Sequence, residues 1–224
     1  MSAGQTLSQT RSGSNGTPML SVCQREASER WRSPLTMILA TIAIAAFAVP
    51  DFASFLQLDY VACRSGQWWR LMTGHLAHFG LGHLFWDLLM FVVLGAACER
   101  RHSKLFPIAV AAMALVISGT LLICRQDVTS YRGLSGIDTG LFAWFVLDQI
   151  RLAFSNRDRS SATIWSIGGC LLVGKLCYEL FTGEILFVDA NGFTPLVESH
   201  VCGAVVGATF AGLAGLSFRP QGRT

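Results

Sequence analysis

Residues 105–124 read "LFPIAVAAMALVISGTLLIC", twenty positions without a charged side chain. A helix of about 20 mostly apolar residues matches the hydrocarbon thickness of a bilayer. Five more stretches of that kind flank it, near 34–53 ("PLTMILATIAIAAFAVPDFA"), 81–99, 134–153, 162–181 and 196–217. The expected fold is therefore all-α: a polytopic membrane bundle of six transmembrane helices, occupying residues 34–218. A polar segment, 1–33, precedes it and a short tail, 219–224, follows. Residues 1–17 are rich in Ser, Gly and Thr and are expected to be disordered. They lack a charged start followed by an apolar core, so no signal peptide is expected there.

Composition agrees. The chain of 224 residues is 52% hydrophobic and 14% charged, with a mean hydropathy of +0.47. Soluble domains carry roughly 25% charged residues. A net charge of +3 leaves no nucleic-acid footprint. Seven cysteines without a CxxC pair imply neither a zinc ribbon nor a disulfide framework. Cys98, Cys170, Cys177 and Cys202 fall in apolar runs, where a small buried hydrophobe is the expected role. Cys63 and Cys124 share one side of the membrane in this reading, with little to favour a bond between them.

Lys and Arg set the orientation. With the N-terminus cytoplasmic, the inner side holds twelve of them and the outer side four, Arg64, Arg70, Arg125 and Arg132. Both termini are then cytoplasmic, and Leu56 to Gly80 form an external segment. Its "QWWRLMTGHLAHF" (67–79) suits a structure lying in the membrane interface.

Charges inside spans two, four, five and six predict that these helices face one another rather than lipid. Lys175 and Glu179, four residues apart on span five, are placed to form an ion pair. Mutual neutralisation of two costly charges is the favoured reading for them, ahead of substrate recognition. The even-numbered spans all begin on the outer side. Span two opens with His83 and Asp87, span four with "GLSGID" (133–138), and span six with "ESHVCG" (198–203). Ser135 and His200 thus lie at similar depth. Gly136 and Gly140 form one small-residue face, Gly203 and Gly207 another, and such faces let helices approach closely in lipid. A serine becomes a useful nucleophile when an adjacent base takes its proton. Each feature alone has an ordinary explanation, helix packing or a satisfied structural histidine. Agreement in side, depth and order is what points to a site.

Those residues carry a family resemblance. "HFGLGHLFWD" opening the second span, "GLSG" opening the fourth and "HVCGAVVG" opening the sixth resemble the rhomboid intramembrane serine proteases, as does the Trp69–Arg70 pair in the external segment. The resemblance covers about residues 34–217. The short length, "WWRLMTGHLAHF", Lys175 with Glu179, and "VESHVCGA" resemble the rhombosortase branch. That branch is associated with bacterial substrates bearing a glycine-rich C-terminal sorting signal before a membrane helix.

The resemblance implies that Ser135 is the nucleophile and His200 the general base, as a dyad needing no third carboxylate. It implies oxyanion stabilisation by His83 and the Ser135 backbone N–H. His78 would be structural, and Gly133, Gly136 and Gly203 would give the site room. Asp87 stands where the family has Asn, so its part in oxyanion stabilisation is open. No cofactor and no metal are expected. The expected partners are the lipid bilayer and a membrane-anchored protein substrate, with no nucleic acid. The expected location is the bacterial inner membrane, with the site opening to the outer face. Loop 182–195 is a candidate gate.

Three rivals stand beside this reading. One is a catalytically inactive rhomboid-like protein that binds transmembrane helices, another a metal site built from His75, His78, His83 and His200. The third is a transporter using Lys175, Glu179, Asp138 and Asp148 as a relay.

Overall fold

The computed structural model describes residues 33–125, 127, 129–186 and 196–217. The expected first span is two helices, α1 (Pro34–Ala48) and α2 (Pro50–Leu56), with Val49 extended between them. Pro50 lacks an N–H and disfavours helical backbone at the residue before it, so the helix must break there. At the other end of α1, the N–H groups of Leu35 and Thr36 have no intrahelical partner. Each donates to a carboxylate oxygen of the buried Glu99 at 2.9 Å, and the Thr36 hydroxyl adds a bond of 2.7 Å. A negative charge at a helix N-terminus is also favoured by the helix dipole.

A short strand β1 (Leu58–Asp59) follows, then α3 (Tyr60–Arg64), α4 (Arg70–Thr73) and a 3₁₀ turn (Gly74–Leu76). Next come the long helices α5 (Leu81–Arg101) and α6 (Phe106–Cys124). Strand β2 (Ser130–Tyr131) leads into α7 (Ser135–Ser155), α8 (Arg159–Thr182) and α9 (Val197–Ser217). Among the described residues, four helices, α5, α6, α8 and α9, are long and apolar enough to cross a membrane. Helix α7 is equally long at 21 residues but carries Asp138, Asp148 and Arg151. Helix α1 has only 15 residues.

The segment between α2 and α5 is tied down from within. Arg70 is buried and donates through Nη1 to the Ser54 and Gln57 carbonyls, each at 2.8 Å, closing the end of α2. Trp69 stacks on Phe55 at 5.6 Å between ring centroids. Val61, Trp68 and Leu81 remain well exposed, as apolar side chains facing lipid or its interface would.

The most extensive helix contact joins α7 to α9. A Cβ added at Gly203 would collide with the Gly136 carbonyl oxygen, and one at Gly207 with the Gly140 carbonyl oxygen. The two glycine faces therefore meet each other, and the backbones touch. Asp148 on α7 receives Arg101 Nε and His102 Nε2, each at 2.6 Å, which ties the far end of α5 to α7. Asp87, Asp138, Asp148 and Glu179 are all buried, in line with inward-facing charges. The cysteines correct one expectation. Cys98 is buried, but Cys170 and Cys177 are exposed and Cys202 is half-buried. Helix α8, which carries Cys170 and Cys177, buries little beyond Ala162 and Glu179, so an apolar run there marks a lipid-facing surface rather than a core. Cys63 and Cys124 are both free.

His75, in the 3₁₀ turn, is fully buried and places Nε2 3.1 Å from both the Ala114 carbonyl and the Ser118 hydroxyl. Burial lowers its pKa from 6.5 to about 4. The unfolded chain then binds a proton that the folded chain refuses, so stability falls as pH drops from the unfolded value towards the folded one. At about 1.4 kcal/mol per unit, the loss is roughly 3 kcal/mol. Thermal unfolding in detergent between neutral pH and pH of about 4 is expected to show this acid sensitivity in the wild type. It should be much reduced in His75→Gln; equal sensitivity in both proteins would contradict the assignment.

Candidate active site

The site is assembled around the turn that precedes α7. Strands β1 and β2 pair antiparallel, Leu58 opposite Tyr131 and Asp59 opposite Ser130, which fixes the chain leading to Ser135. The Tyr131 hydroxyl donates to the Gly133 carbonyl at 3.0 Å. Burial, and then the Asp87 carboxylate, push the Tyr131 phenol up, so it remains a neutral donor. Gly133 has φ +125°, a conformation that glycine adopts and side-chain-bearing residues avoid. It also lies against the His83 ring, where an added Cβ would sit 2.7 Å from Nε2. Both the conformation and the contact require glycine.

Asp87 holds this turn to α5. Its Oδ2 accepts the Leu134 N–H at 2.8 Å. The same oxygen lies 3.2 Å from His78 Nε2 and 3.2 Å from His83 Nε2. The position where the resemblance has Asn is thus occupied by a buried carboxylate that gathers both histidines and the residue before Ser135. The Nε2 of His83 faces Asp87. Ser135 is the first residue of α7, partly exposed. It opens onto a cavity of about 1070 Å³ shared with His83, Asp138, Lys175, Tyr178 and His200. Trp86 and Met90 of α5 wall one side, and Leu171 and Gly174 of α8 the other.

His200 is buried near the start of α9. Its Nδ1 lies 2.7 Å from Glu179 Oε2. Lys175 Nζ lies 2.7 Å from Glu179 Oε1 and 3.3 Å from His200 Nδ1. The Leu186 N–H also donates to Glu179 Oε1, at 3.1 Å. A carboxylate only accepts, and its contact with Nδ1 is the shorter one, so Nδ1 carries the proton and Nε2 is the basic nitrogen. The expected Lys175–Glu179 ion pair is present, but it does more than cancel two charges. Glu179 is also in contact with His200.

Of the other candidates, Gly136 and Gly203 sit at the α7–α9 crossing, and His78 packs edge-on against His83 at 5.2 Å. The four histidines of the metal reading do not converge: His75 bonds α6, His78 and His83 share Asp87, and His200 faces Glu179. Asp138, one turn after Ser135, is buried, with no hydrogen-bond partner among the described residues. Of the candidate gate, Ile185 and Leu186 line the cavity, while 187–195 lie outside the described residues. Sequence reasoning missed Tyr131 and the Glu179–His200 contact. The signal for the second was present, since both residues fall in the outer halves of the spans expected from the sequence.

Helices long and apolar enough to cross a membrane surround a cavity lined by a serine and by a histidine in contact with a carboxylate, an arrangement that fits an intramembrane protease-like family. The rhomboid domain matches residues 65–216, more than half of the chain, and the chain belongs to the rhomboid family.

Proposed function

We propose that this rhomboid protein is an intramembrane serine endopeptidase with Ser135 as nucleophile and His200 as general base. The observation that carries this reading is that a partly exposed Ser135 and a His200 whose Nδ1 is occupied by Glu179 line one cavity. The reading takes α1 and α7 as membrane spans alongside the four longer apolar helices, six in all, with both termini cytoplasmic. The bacterial inner membrane is the proposed location, with the cavity opening outward. A membrane-anchored substrate would be cut near the outer end of its helix, where small or helix-breaking residues ease local unfolding. The resemblance to rhombosortases makes a glycine-rich C-terminal sorting signal the proposed substrate class.

Ser135 Oγ attacks the substrate carbonyl while His200 Nε2 takes its proton. Negative charge then grows on the carbonyl oxygen and is stabilised by donors already in place. The Ser135 N–H at the start of α7 is one such donor, and its helix N-terminus favours the charge. His83, held by Asp87 beside the turn, is the proposed second. The imidazolium returns its proton to the leaving amine, and water releases the acyl-enzyme.

A fluorophosphonate should add covalently to the Ser135 peptide of the detergent-purified wild type and spare Ser135→Ala. Labelling of Ser135→Ala at the wild-type rate would overturn the assignment of the nucleophile. A reporter with a glycine-rich anchor should be cut faster than one whose glycines are leucines; equal rates would remove the proposed substrate class.

A further inference from the structure

We infer that Glu179 is the third member of the catalytic group, a positioning residue that fixes the tautomer of His200, and that Lys175 fixes the orientation of Glu179. The inference deepens the protease reading and rests on His200 acting as the base of Ser135. Each carboxylate oxygen has its own task. Oε1 receives two donors, Lys175 Nζ at 2.7 Å and the Leu186 N–H at 3.1 Å. Oε2 is thereby turned to His200 Nδ1 at 2.7 Å. Glu179 is fully buried, so water does not compete for these contacts. Nδ1 must donate, and Nε2 is left as the acceptor that a general base requires. The groups around His200 are Lys175 and Glu179 from α8, Glu198 on its own helix, and Ser135 and Asp138 on the cavity wall from α7. Glu198 is engaged by Arg125 Nη1 at 3.0 Å, which leaves Glu179 as the carboxylate in contact with the ring.

The arrangement makes an unusual demand on substitution. In Glu179→Gln, two donors still converge where Oε1 stood, so the amide oxygen must take that place. The amide NH₂ then faces His200 Nδ1 and donates to it. Nδ1 becomes the acceptor, the proton moves to Nε2, and the base is lost. Glu179→Ala removes the carboxylate but leaves the ring free to adopt either tautomer. The near-isosteric variant should therefore be the worse enzyme. A role in packing alone would give the reverse order, because Gln fills the buried site and Ala leaves a cavity.

The test is steady-state cleavage of a membrane-anchored reporter by full-length Glu179→Gln, Glu179→Ala and Ser135→Ala in liposomes, with thermal unfolding of each. Glu179→Gln is expected to lose on the order of 10⁴-fold in kcat, the effect of enforcing the wrong tautomer in a serine protease. KM should be unchanged, and Glu179→Ala should keep more kcat than Glu179→Gln. Wild-type kcat in Glu179→Gln, or Glu179→Ala as the slower of the two, would overturn the inference. Nitrogen-15 NMR of His200 in the Ser135→Ala protein provides a measurement that needs no Glu179 variant to fold. Neutral His200 should carry its proton on Nδ1; a proton on Nε2 would overturn the inference by itself. Cleavage by Ser135→Ala would instead remove the protease reading, whatever Glu179 does.

Discussion

Ser135→Ala and His200→Ala are each expected to lower kcat for a membrane-anchored reporter by on the order of 10⁶-fold, the scale seen when a serine protease loses its nucleophile or its base. The two losses should not multiply. Without Ser135 there is no hydroxyl for His200 to deprotonate; without His200 the hydroxyl is a poor nucleophile. Ser135→Ala/His200→Ala should therefore be about as slow as either single variant. Thermal unfolding should change little, because Ser135 is partly exposed at the cavity. His200→Ala is the more disturbing change, since it leaves Glu179 Oε2 without its 2.7 Å partner in a buried site. Lys175 still compensates that carboxylate at Oε1. The decisive measurement is kcat of the three proteins in liposomes. A double variant far slower than both singles would mean that the two residues act in separate steps. Undiminished cleavage by Ser135→Ala would end the serine-protease reading.

The sequence carried the all-α, membrane-helix character of the fold because bilayers impose a length and a composition. The long helices α5, α6, α8 and α9 begin and end close to the apolar runs. It also carried the α7–α9 crossing, since glycines four residues apart at matching depth have few other uses, and they do touch. Depth along the membrane is legible because it is a one-dimensional count. Rotation about each helix axis is not, and the missed contacts are of that kind. Glu179 and His200 were both placed in outer half-spans, but only the structure turns Glu179 towards the imidazole rather than towards Lys175 alone. The cysteines failed for the same reason, since an apolar run does not say which side faces lipid. Tyr131 was hidden because the β1–β2 pairing that places it joins residues far apart in sequence. The break at Pro50 was legible in principle, and was obscured by the apolar residues on both sides of it.

Asp87 leads to the second large effect. Its Oδ2 accepts the Leu134 N–H, an obligate donor, and faces two imidazole nitrogens as well. Three nitrogens around one oxygen are the surroundings of an ionised carboxylate. A neutral acid donating like Asn is the arrangement they disfavour. Asp87→Ala would leave the buried Leu134 N–H without an acceptor, which costs about 1–3 kcal/mol. It would also release the turn that aims Ser135. A displacement near 1 Å at a reacting centre can cost on the order of 10²-fold in rate, and kcat of Asp87→Ala is expected to fall by about that much. Asp87→Asn should behave differently. Its amide oxygen can still accept from Leu134, so fold and turn should survive. The negative charge that faces His78 Nε2 and His83 Nε2 at 3.2 Å is gone, however. If that charge holds His83 in place to donate to the oxyanion, kcat of Asp87→Asn should fall below that of the wild type. Equal kcat in the two proteins, measured with the same reporter, would restrict Asp87 to holding the turn, and an unimpaired Asp87→Ala would deny it even that.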